Sequence, residues 1–397
     1  MAIRVKNKIN ERNIIEFIRR HIILIAFFGV SVTAFLLRWQ MIEFQTADFY
    51  AYVNAWIQEL SIYPGLSGLG ENIGEYNVPY MFFLAILPYT PFNYLYAVKI
   101  FSIIFDYLGA IAAVKIVAHI GKTKLFTRAG LAVYSAMLLS PCVFLDSAYW
   151  GQCDSIYLAM LLYCIYYMLK EKYAVSMIFY GISIAFKLQA VFFLPVILIF
   201  YFASRKMSIK YILCIPAAYL VMILPALITG RGFKDTLLIY FSQTELYPFM
   251  TLSCPNLYNI FPDVDYFMFK KAAILLTLSV LGAGAAIFIS KKKEMTKKDL
   301  LLLSLWSFQV CVFFLPAMHE RYAYGLCILS IIWAFAHFKD WIVAVGLNYI
   351  TLRSFVPYLN QIEIPDMRIL SIGSLLLLIL TTYRLLVKPD YNEQNII

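Results

Sequence analysis

Long apolar runs recur along this chain and are separated by short polar segments. Each run holds about 15–22 residues, close to the length that an α-helix needs to cross the hydrocarbon core of a bilayer. Only 14% of the residues are charged, whereas a soluble globular chain has about 25%. Lipid offers no solvent to unpaired backbone groups, and the runs lack the short alternation of β-barrel strands. The sequence therefore predicts an all-α, polytopic transmembrane protein.

Basic residues predict its orientation. The formal net charge is +10, and the Lys and Arg residues gather in short segments between the apolar runs. Such clusters mark the cytoplasmic side, so the positive charge requires no nucleic-acid partner. Threading the runs between the clusters predicts about twelve crossings with both termini in the cytoplasm. They lie near 21–37, 94–118, 129–146, 154–169, 174–187, 190–204, 211–229, 270–290, 300–316, 322–338, 341–357 and 367–387.

We expect one integral-membrane domain over residues 1–397, with an uncleaved first crossing after a cytoplasmic tail at 1–20. Two long polar stretches, 38–78 and 230–269, form the first and second outer loops. The run Pro79–Leu87 is too short to cross and is predicted to be re-entrant or interfacial. The pair 174–187 and 190–204 is predicted to be either two spans or a helical hairpin that dips into the membrane.

Unusual polar clusters all fall on the predicted outer side. Polar and ionisable groups are costly at membrane depth and mark function there. We therefore predict a site built from several helix ends that face an external cavity. The outer segments are FQTADFYAYVNAWIQEL, GLGENIGEYNVPY, YWGQCDSIY, AFKLQAVFFLP, YFSQTELYPF, LSCPNLYNIFPD and PAMHERYAYG.

Each charged residue in these segments also has a structural explanation. Asp48 is either a functional carboxylate or the N-cap of an interfacial helix, and Asp154 is either a ligand of the site or the N-cap of the next helix. Lys187 either snorkels to the surface or lines a cavity at a broken helix, as the following Gln189 suggests. Asp106 is expected to be structural, paired with a neighbour such as Lys99.

The charged residues of the outer segments, taken together, indicate a reaction that no single one of them indicates. In the HER segment, Glu320 and Arg321 are either a capping pair or functional. Cations at the membrane surface, with an arginine fork, suit a lipid phosphate, and a carboxylate opposite them suits a general base. Together they could displace a lipid-phosphate leaving group from a sugar.

The order of EYNVPY, WGQCDS, KLQAVFFLP and MHERY, after a carboxylate in a long first outer loop, resembles the GT-C superfamily of integral-membrane glycosyltransferases. More narrowly, it is similar to bacterial relatives of the GPI mannosyltransferase II (PIG-V) family. The resemblance covers most of residues 20–330. Related sequences often have GDYN where this chain has GEYN, so the carboxylate is kept as Glu75.

The resemblance implies an inverting transfer of a hexose, mannose by analogy, from a polyprenyl-phosphate sugar to an extracytoplasmic glycan or glycolipid. It implies Asp48 as the catalytic base, and Lys187, His319 and Arg321 on the donor phosphate. The remaining polar positions are predicted to bind sugar or acceptor: Glu75, Tyr76, Asn77, Gln152, Asp154, Gln189, Gln243, Asn256 and Glu320. The expected location is a bacterial plasma membrane, with the active site outside.

Two other functions stay open at this point: a flippase or transporter of lipid-linked saccharide, and a polysaccharide polymerase or ligase. A transporter usually shows paired halves with broken helices in matching positions, which this sequence lacks. No cofactor is expected. A divalent metal could draw on Asp48, Glu75 and Asp154, but one carboxylate and two cations suffice for the chemistry.

Overall fold

The computed structural model describes residues 11–240, 247–291, 295–337, 340–360 and 365–387. These residues are mostly helical and contain almost no strand, which confirms the all-α class. The α-helices are α1 Glu11–Trp39, α2 Ala55–Ser61, α3 Val78–Ile86, α4 Tyr94–Ile120, α5 Arg128–Leu139, α6 Pro141–Phe144, α7 Asp154–Leu169, α8 Tyr173–Phe186, α9 Leu194–Ser204, α10 Cys214–Ile228, α11 Phe233–Leu237, α12 Leu257–Ile260, α13 Tyr266–Lys291, α14 Lys297–Phe314, α15 Tyr324–Ala336, α16 Trp341–Asn360 and α17 Met367–Leu386.

Shorter helical turns join these elements at points where the chain bends. Two are π-helical, Phe49–Asn54 and Leu145–Trp150, and π-helical turns are frequent at functional sites. The others are 3₁₀ turns at Ser67–Gly70, Leu87–Tyr89, Leu188–Phe193, Ile209–Leu213 and Glu320–Ala323. Strands are limited to β1 Thr251–Leu252 and β2 Met318–His319 within the described residues, and they pair in parallel.

Six described helices are long and apolar enough to cross a bilayer: α1, α4, the turn Ile209–Leu213 continued by α10, α13, α16 and α17. The bent unit of α5 and Pro141–Trp150 would make a seventh. The chain is therefore a helical membrane protein. The twelve predicted crossings also require shorter helices, and α8, with 14 residues, falls below the ~20 that span a bilayer unaided.

The packed centre of the molecule consists of α4, α7, α8 and α14 to α16, whose mutual contacts bury one large apolar cluster. Trp306 on α14 and Trp333 on α15 are among its largest fully buried side chains. A helix that is apolar all round belongs in such a core or in lipid, and α7 and α14 are buried on nearly every face.

One ion pair in the core corrects the predicted partner of Asp106. Its Oδ2 accepts a hydrogen bond from Arg38 Nε at 2.9 Å and another from Ser147 Oγ, and both charged side chains are fully buried. Lys99 instead donates from Nζ to the carbonyl oxygens of Met41 and Phe44. These contacts tie the end of α1 and the start of the first outer loop to α4.

Candidate functional site

A cavity of about 360 Å³ collects residues from six separate parts of the chain. These parts are the first outer loop, Gln152, the break after α8, the second outer loop, the segment after β2, and the end of α16. The lining residues are Asp48, Tyr52, Val53, Trp56, Glu75, Tyr76, Gln152, Phe186, Lys187, Gln189, Tyr240, Tyr247, Leu252, Ser253, His319, Glu320, Arg321, Tyr322 and Tyr358.

Asp48 lies in this wall and is held by three hydrogen-bond donors. Its Oδ2 accepts from Trp150 Nε1 at 2.9 Å and from Gln152 Nε2 at 3.0 Å, while Oδ1 accepts from the Tyr358 hydroxyl at 2.5 Å. Its backbone is helical and its side chain makes no capping bond. Asp48 thus occupies the N-cap position of the π-helical turn Phe49–Asn54, but its carboxylate binds these three donors instead of capping the turn.

The backbone conformation around Gly151 positions two of those donors, Trp150 and Gln152. The π-helical turn Leu145–Trp150 ends at Gly151, whose φ of 78° lies in the left-handed region that suits glycine. The backbone N–H of Gln152 then donates to the carbonyl oxygen of Asp146 at 2.9 Å. This reversal lets Trp150 and Gln152 reach the same carboxylate oxygen although Gly151 separates them.

Lys187 occupies a real helix break. α8 ends at Phe186, Lys187 is extended, and the 3₁₀ turn Leu188–Phe193 leads into α9. Its Nζ lies 2.6 Å from Asp154 Oδ2 and 5.8 Å from the centre of the Tyr76 ring. Lys187 thus does not snorkel to the surface. It reaches the cavity with its charge already paired.

Asp154 is placed differently from its prediction. It is the first residue of α7, the N-cap position belongs to Cys153, and its side chain is fully buried and absent from the cavity wall. Burying a lysine without a counter-charge would be costly, so the ion pair explains why a carboxylate follows WGQC. Its position supports Lys187 rather than direct contact with a sugar.

The His319–Arg321 segment is anchored by the small parallel sheet, which sets Leu252 opposite His319. Burial, together with the nearby Arg321 and Lys187, lowers the pKa of His319 to about 3. The imidazole is therefore neutral at physiological pH and can offer a hydrogen bond to a phosphate but no positive charge. Burial also raises the pKa of Glu320 to about 7, against the opposing effect of Arg321.

Arg321 lines the cavity beside Glu320. Its Nε and Nη1 are buried and have no hydrogen-bond partner among the residues that the structure describes. Its closest carboxylate contact is Glu320 Oε1 at 3.8 Å, beyond hydrogen-bond range, and the guanidinium lies 5.3 Å from the centre of the Trp150 ring. Trp150 therefore stands between Asp48, to which it donates, and Arg321, which it stacks against.

The other predicted residues have three different outcomes. Glu75, Tyr76, Gln152, Gln189 and Glu320 lie in the cavity wall. Asn77 and Asn256 are fully buried helix caps that accept from Val78 N and Tyr258 N, so they lie outside it. Gln243 falls outside the described residues.

Aromatic side chains form much of the wall, and apart from Tyr76 the sequence analysis did not predict them there. Tyr52 and Trp56 follow Asp48 on the same helical segment, Tyr247 comes from the second outer loop, and Tyr322 lies in the 3₁₀ turn Glu320–Ala323. The first two lie on the segment that the sequence analysis considered as an interfacial helix. Tyr358 had no distinguishing pattern, since it ends an apolar helix far from every quoted motif.

An apolar groove of about 200 Å³ adjoins the cavity and shares Gln189, Tyr247 and Tyr322 with it. Beyond them its walls are mostly apolar and come from the Leu188–Phe193 turn, α13 and the end of α14: Leu188, Val191, Phe192, Tyr266, Lys270, Ile274, Leu315, Pro316, Ala317 and Met318. The amide oxygen Oε1 of Gln189 is buried at the junction without a partner among the described residues. A polar ligand group and an apolar tail could therefore be held side by side.

Across the described ranges, no group of three or more His, Cys, Asp and Glu side chains is arranged to hold a metal ion. No protein-family model matches the chain, and no curated protein matches it either. The functional argument therefore rests on the residues of the cavity and on the groove beside it.

Proposed function

We propose that this chain is an inverting glycosyltransferase of the GT-C type. It moves a hexose from a polyprenyl-phosphate sugar to an extracytoplasmic glycan or glycolipid, in the plasma membrane of a bacterium. The observation that carries the proposal is one cavity lined by the Asp48 carboxylate and by Arg321, two of whose nitrogens have no hydrogen-bond partner among the described residues, with an apolar groove beside it.

The donor fits these three parts in order. Arginine's planar fork can match two phosphate oxygens, and Nε and Nη1 of Arg321 have no hydrogen-bond partner among the described residues. Lys187 stands on the same cavity wall as a second cation, and neutral His319 offers a hydrogen bond. The isoprenoid chain would follow the groove past Val191 and Ile274, while the sugar would face Asp48.

The reaction needs one proton acceptor and a stabilised leaving group. Asp48 receives the proton of the acceptor hydroxyl as the acceptor oxygen bonds to the anomeric carbon. The bond from that carbon to the phosphate oxygen breaks, and its electron pair leaves with the lipid phosphate beside Arg321. Attack from the face opposite the phosphate inverts the anomeric centre. Mannose is the sugar expected from the family resemblance.

The proposal is tested by incubating purified protein with radiolabelled polyprenyl-phosphate mannose and envelope glycans or glycolipids. Labelled product with inverted anomeric configuration is the expected result. Transfer only from an oligosaccharide-diphosphate lipid would indicate a polymerase or ligase instead. Movement of intact donor across vesicles without transfer would indicate a flippase.

The proposed topology, with about twelve crossings, predicts which surfaces react from outside. Ile62 in the first outer loop is 78% exposed, and Lys124 lies in an exposed turn between α4 and α5. We expect Ile62→Cys in intact cells to react with a membrane-impermeant maleimide. Lys124→Cys should react only after permeabilisation. The reverse pattern would place the cavity on the cytoplasmic side and contradict the use of an extracytoplasmic donor.

Donor binding should depend on pH through Glu320. This carboxyl has a pKa of about 7, faces Arg321, and lies in the field of Asp48 and Asp154. A bound phosphate adds negative charge beside it and favours its protonated form, so the donor should bind more weakly as pH rises from 6 to 8. The limit is roughly tenfold, reached when only the protonated form binds. His319 does not titrate in this range, because its pKa is about 3.

The measurement is equilibrium binding of labelled donor to detergent-solubilised protein at constant ionic strength. Glu320→Gln removes the titrating group and should make the affinity independent of pH over this range. An unchanged pH dependence in Glu320→Gln would assign the titration to another group and contradict this prediction.

A further inference from the structure

The hydroxyl of Tyr358 binds the Asp48 carboxylate in the cavity wall, which both residues line. Its oxygen lies 2.5 Å from Asp48 Oδ1, within hydrogen-bond distance, and the hydroxyl donates to that oxygen. The other oxygen of Asp48 already accepts from Trp150 and Gln152. Of the three donors, Tyr358 has the most exposed side chain, at 48%. An incoming hydroxyl therefore meets Tyr358 beside the base.

Packing holds this hydroxyl in place. The Tyr358 ring stacks on Trp150 with centroids 4.9 Å apart and planes at 24°, and Phe355, one helical turn earlier, contacts the same indole edge-on. Trp150 is buried and also donates to Asp48. The indole thus fixes the tyrosine and the carboxylate relative to each other.

A phenol can pass a proton on, because its oxygen donates one hydrogen bond and still accepts others. Trp150 and Gln152 cannot do this, because the indole N–H and the amide NH₂ group donate hydrogen bonds to Asp48 but cannot accept a proton from the substrate. Within the cavity wall, Tyr358 is the donor to Asp48 that can both receive the acceptor's proton and supply one.

We propose that Tyr358 is a catalytic residue that relays the acceptor's proton to Asp48, an inference that rests on the glycosyltransferase function proposed above. The acceptor hydroxyl donates to the Tyr358 oxygen. As its oxygen bonds to the anomeric carbon, its proton moves to Tyr358 and the Tyr358 proton moves to Asp48 Oδ1. The electron pair of the broken carbon–oxygen bond leaves with the lipid phosphate. Tyr358 ends neutral and Asp48 protonated, so the charges balance.

The test compares Tyr358→Phe with the wild type on polyprenyl-phosphate mannose under single-turnover conditions. Tyr349→Phe is the matched control, since Tyr349 lies on the same helix, is 59% exposed and does not line the cavity. We expect Tyr358→Phe to bind donor normally and to transfer about 10²-fold more slowly, the lower end of what a proton-transfer group contributes. Tyr349→Phe should match the wild type.

A second readout separates a relay from a tyrosine that merely positions Asp48. The rate is measured as the fraction of D₂O is varied. In the wild type two protons move in the transfer step, so the rate should depend on the D₂O fraction along a curve. In Tyr358→Phe only one proton moves, so this dependence should be a straight line. A Tyr358→Phe rate within threefold of the wild type, or the same curvature in both, would overturn the relay. A wild type that transfers no hexose would instead refute the proposed function.

Discussion

Replacing Asp48 by asparagine should give a folded protein that binds donor and hardly turns over. An amide cannot take a proton, and a general base contributes about 10²–10⁴-fold to rate, so kcat should fall by that factor. The measurements are single-turnover transfer and equilibrium donor binding on the same preparation.

The hydrogen bonds around Asp48 explain why folding should survive. The asparagine oxygen can still accept from Trp150 and Gln152. Its NH₂ group would face the Tyr358 hydroxyl, which can turn to accept instead of donate. The loss of turnover would then report the missing base rather than a collapsed wall.

Asp265→Asn is the matched control for the Asp48 substitution. Asp265 is an exposed carboxylate of the second outer loop that accepts from Met268 N and lies outside the cavity. It should keep normal transfer. Normal turnover in Asp48→Asn together with a dead Glu75→Gln would show that the base is a different carboxylate of the same cavity.

Much of the helical fold could be predicted because lipid imposes simple rules. Continuous apolar runs must be helices, and a lysine inside such a run must find a counter-charge or a cavity. The break at Lys187 follows from this reasoning, and so does the gathering of outer segments around one cavity. The number of crossings is harder to predict, because a helix such as α8 that packs inside the protein need not have spanning length.

Contacts between residues that lie far apart in the sequence could not be predicted in this way. Lys187 and Asp154 are 33 positions apart, and no helical or strand periodicity relates them. The sequence analysis therefore predicted that each could bind the substrate, whereas in the structure they bind each other. Tyr358 and Asp48 are 310 positions apart. The charge state of His319 depends on how deeply the imidazole is buried, which cannot be predicted from the HER motif. The types of the site residues were thus predictable, whereas their division into partners and ligands was not.

Replacing Arg321 by alanine should remove most of the donor-phosphate stabilisation. Loss of one preorganised charge-stabilising group costs about 2–4 kcal/mol in the transition state, or about 30- to 10³-fold in kcat/KM. The effect should be large here because Lys187 is already paired with Asp154 at 2.6 Å, whereas the closest carboxylate oxygen that the structure describes beside Arg321, Glu320 Oε1, lies 3.8 Å away. The measurement is kcat/KM at limiting polyprenyl-phosphate mannose.

Two companion variants sharpen this prediction. Arg321→Lys keeps the charge but loses the planar fork and the stacking on Trp150, so it should recover only part of the activity. Lys234→Ala removes an exposed cation from the second outer loop, outside the cavity, and should change kcat/KM little. If Arg321→Ala equals the wild type at limiting donor, the phosphate does not bind at this fork. If Lys234→Ala falls as far as Arg321→Ala, the net positive charge of the outer surface, rather than the geometry of one guanidinium, attracts the donor.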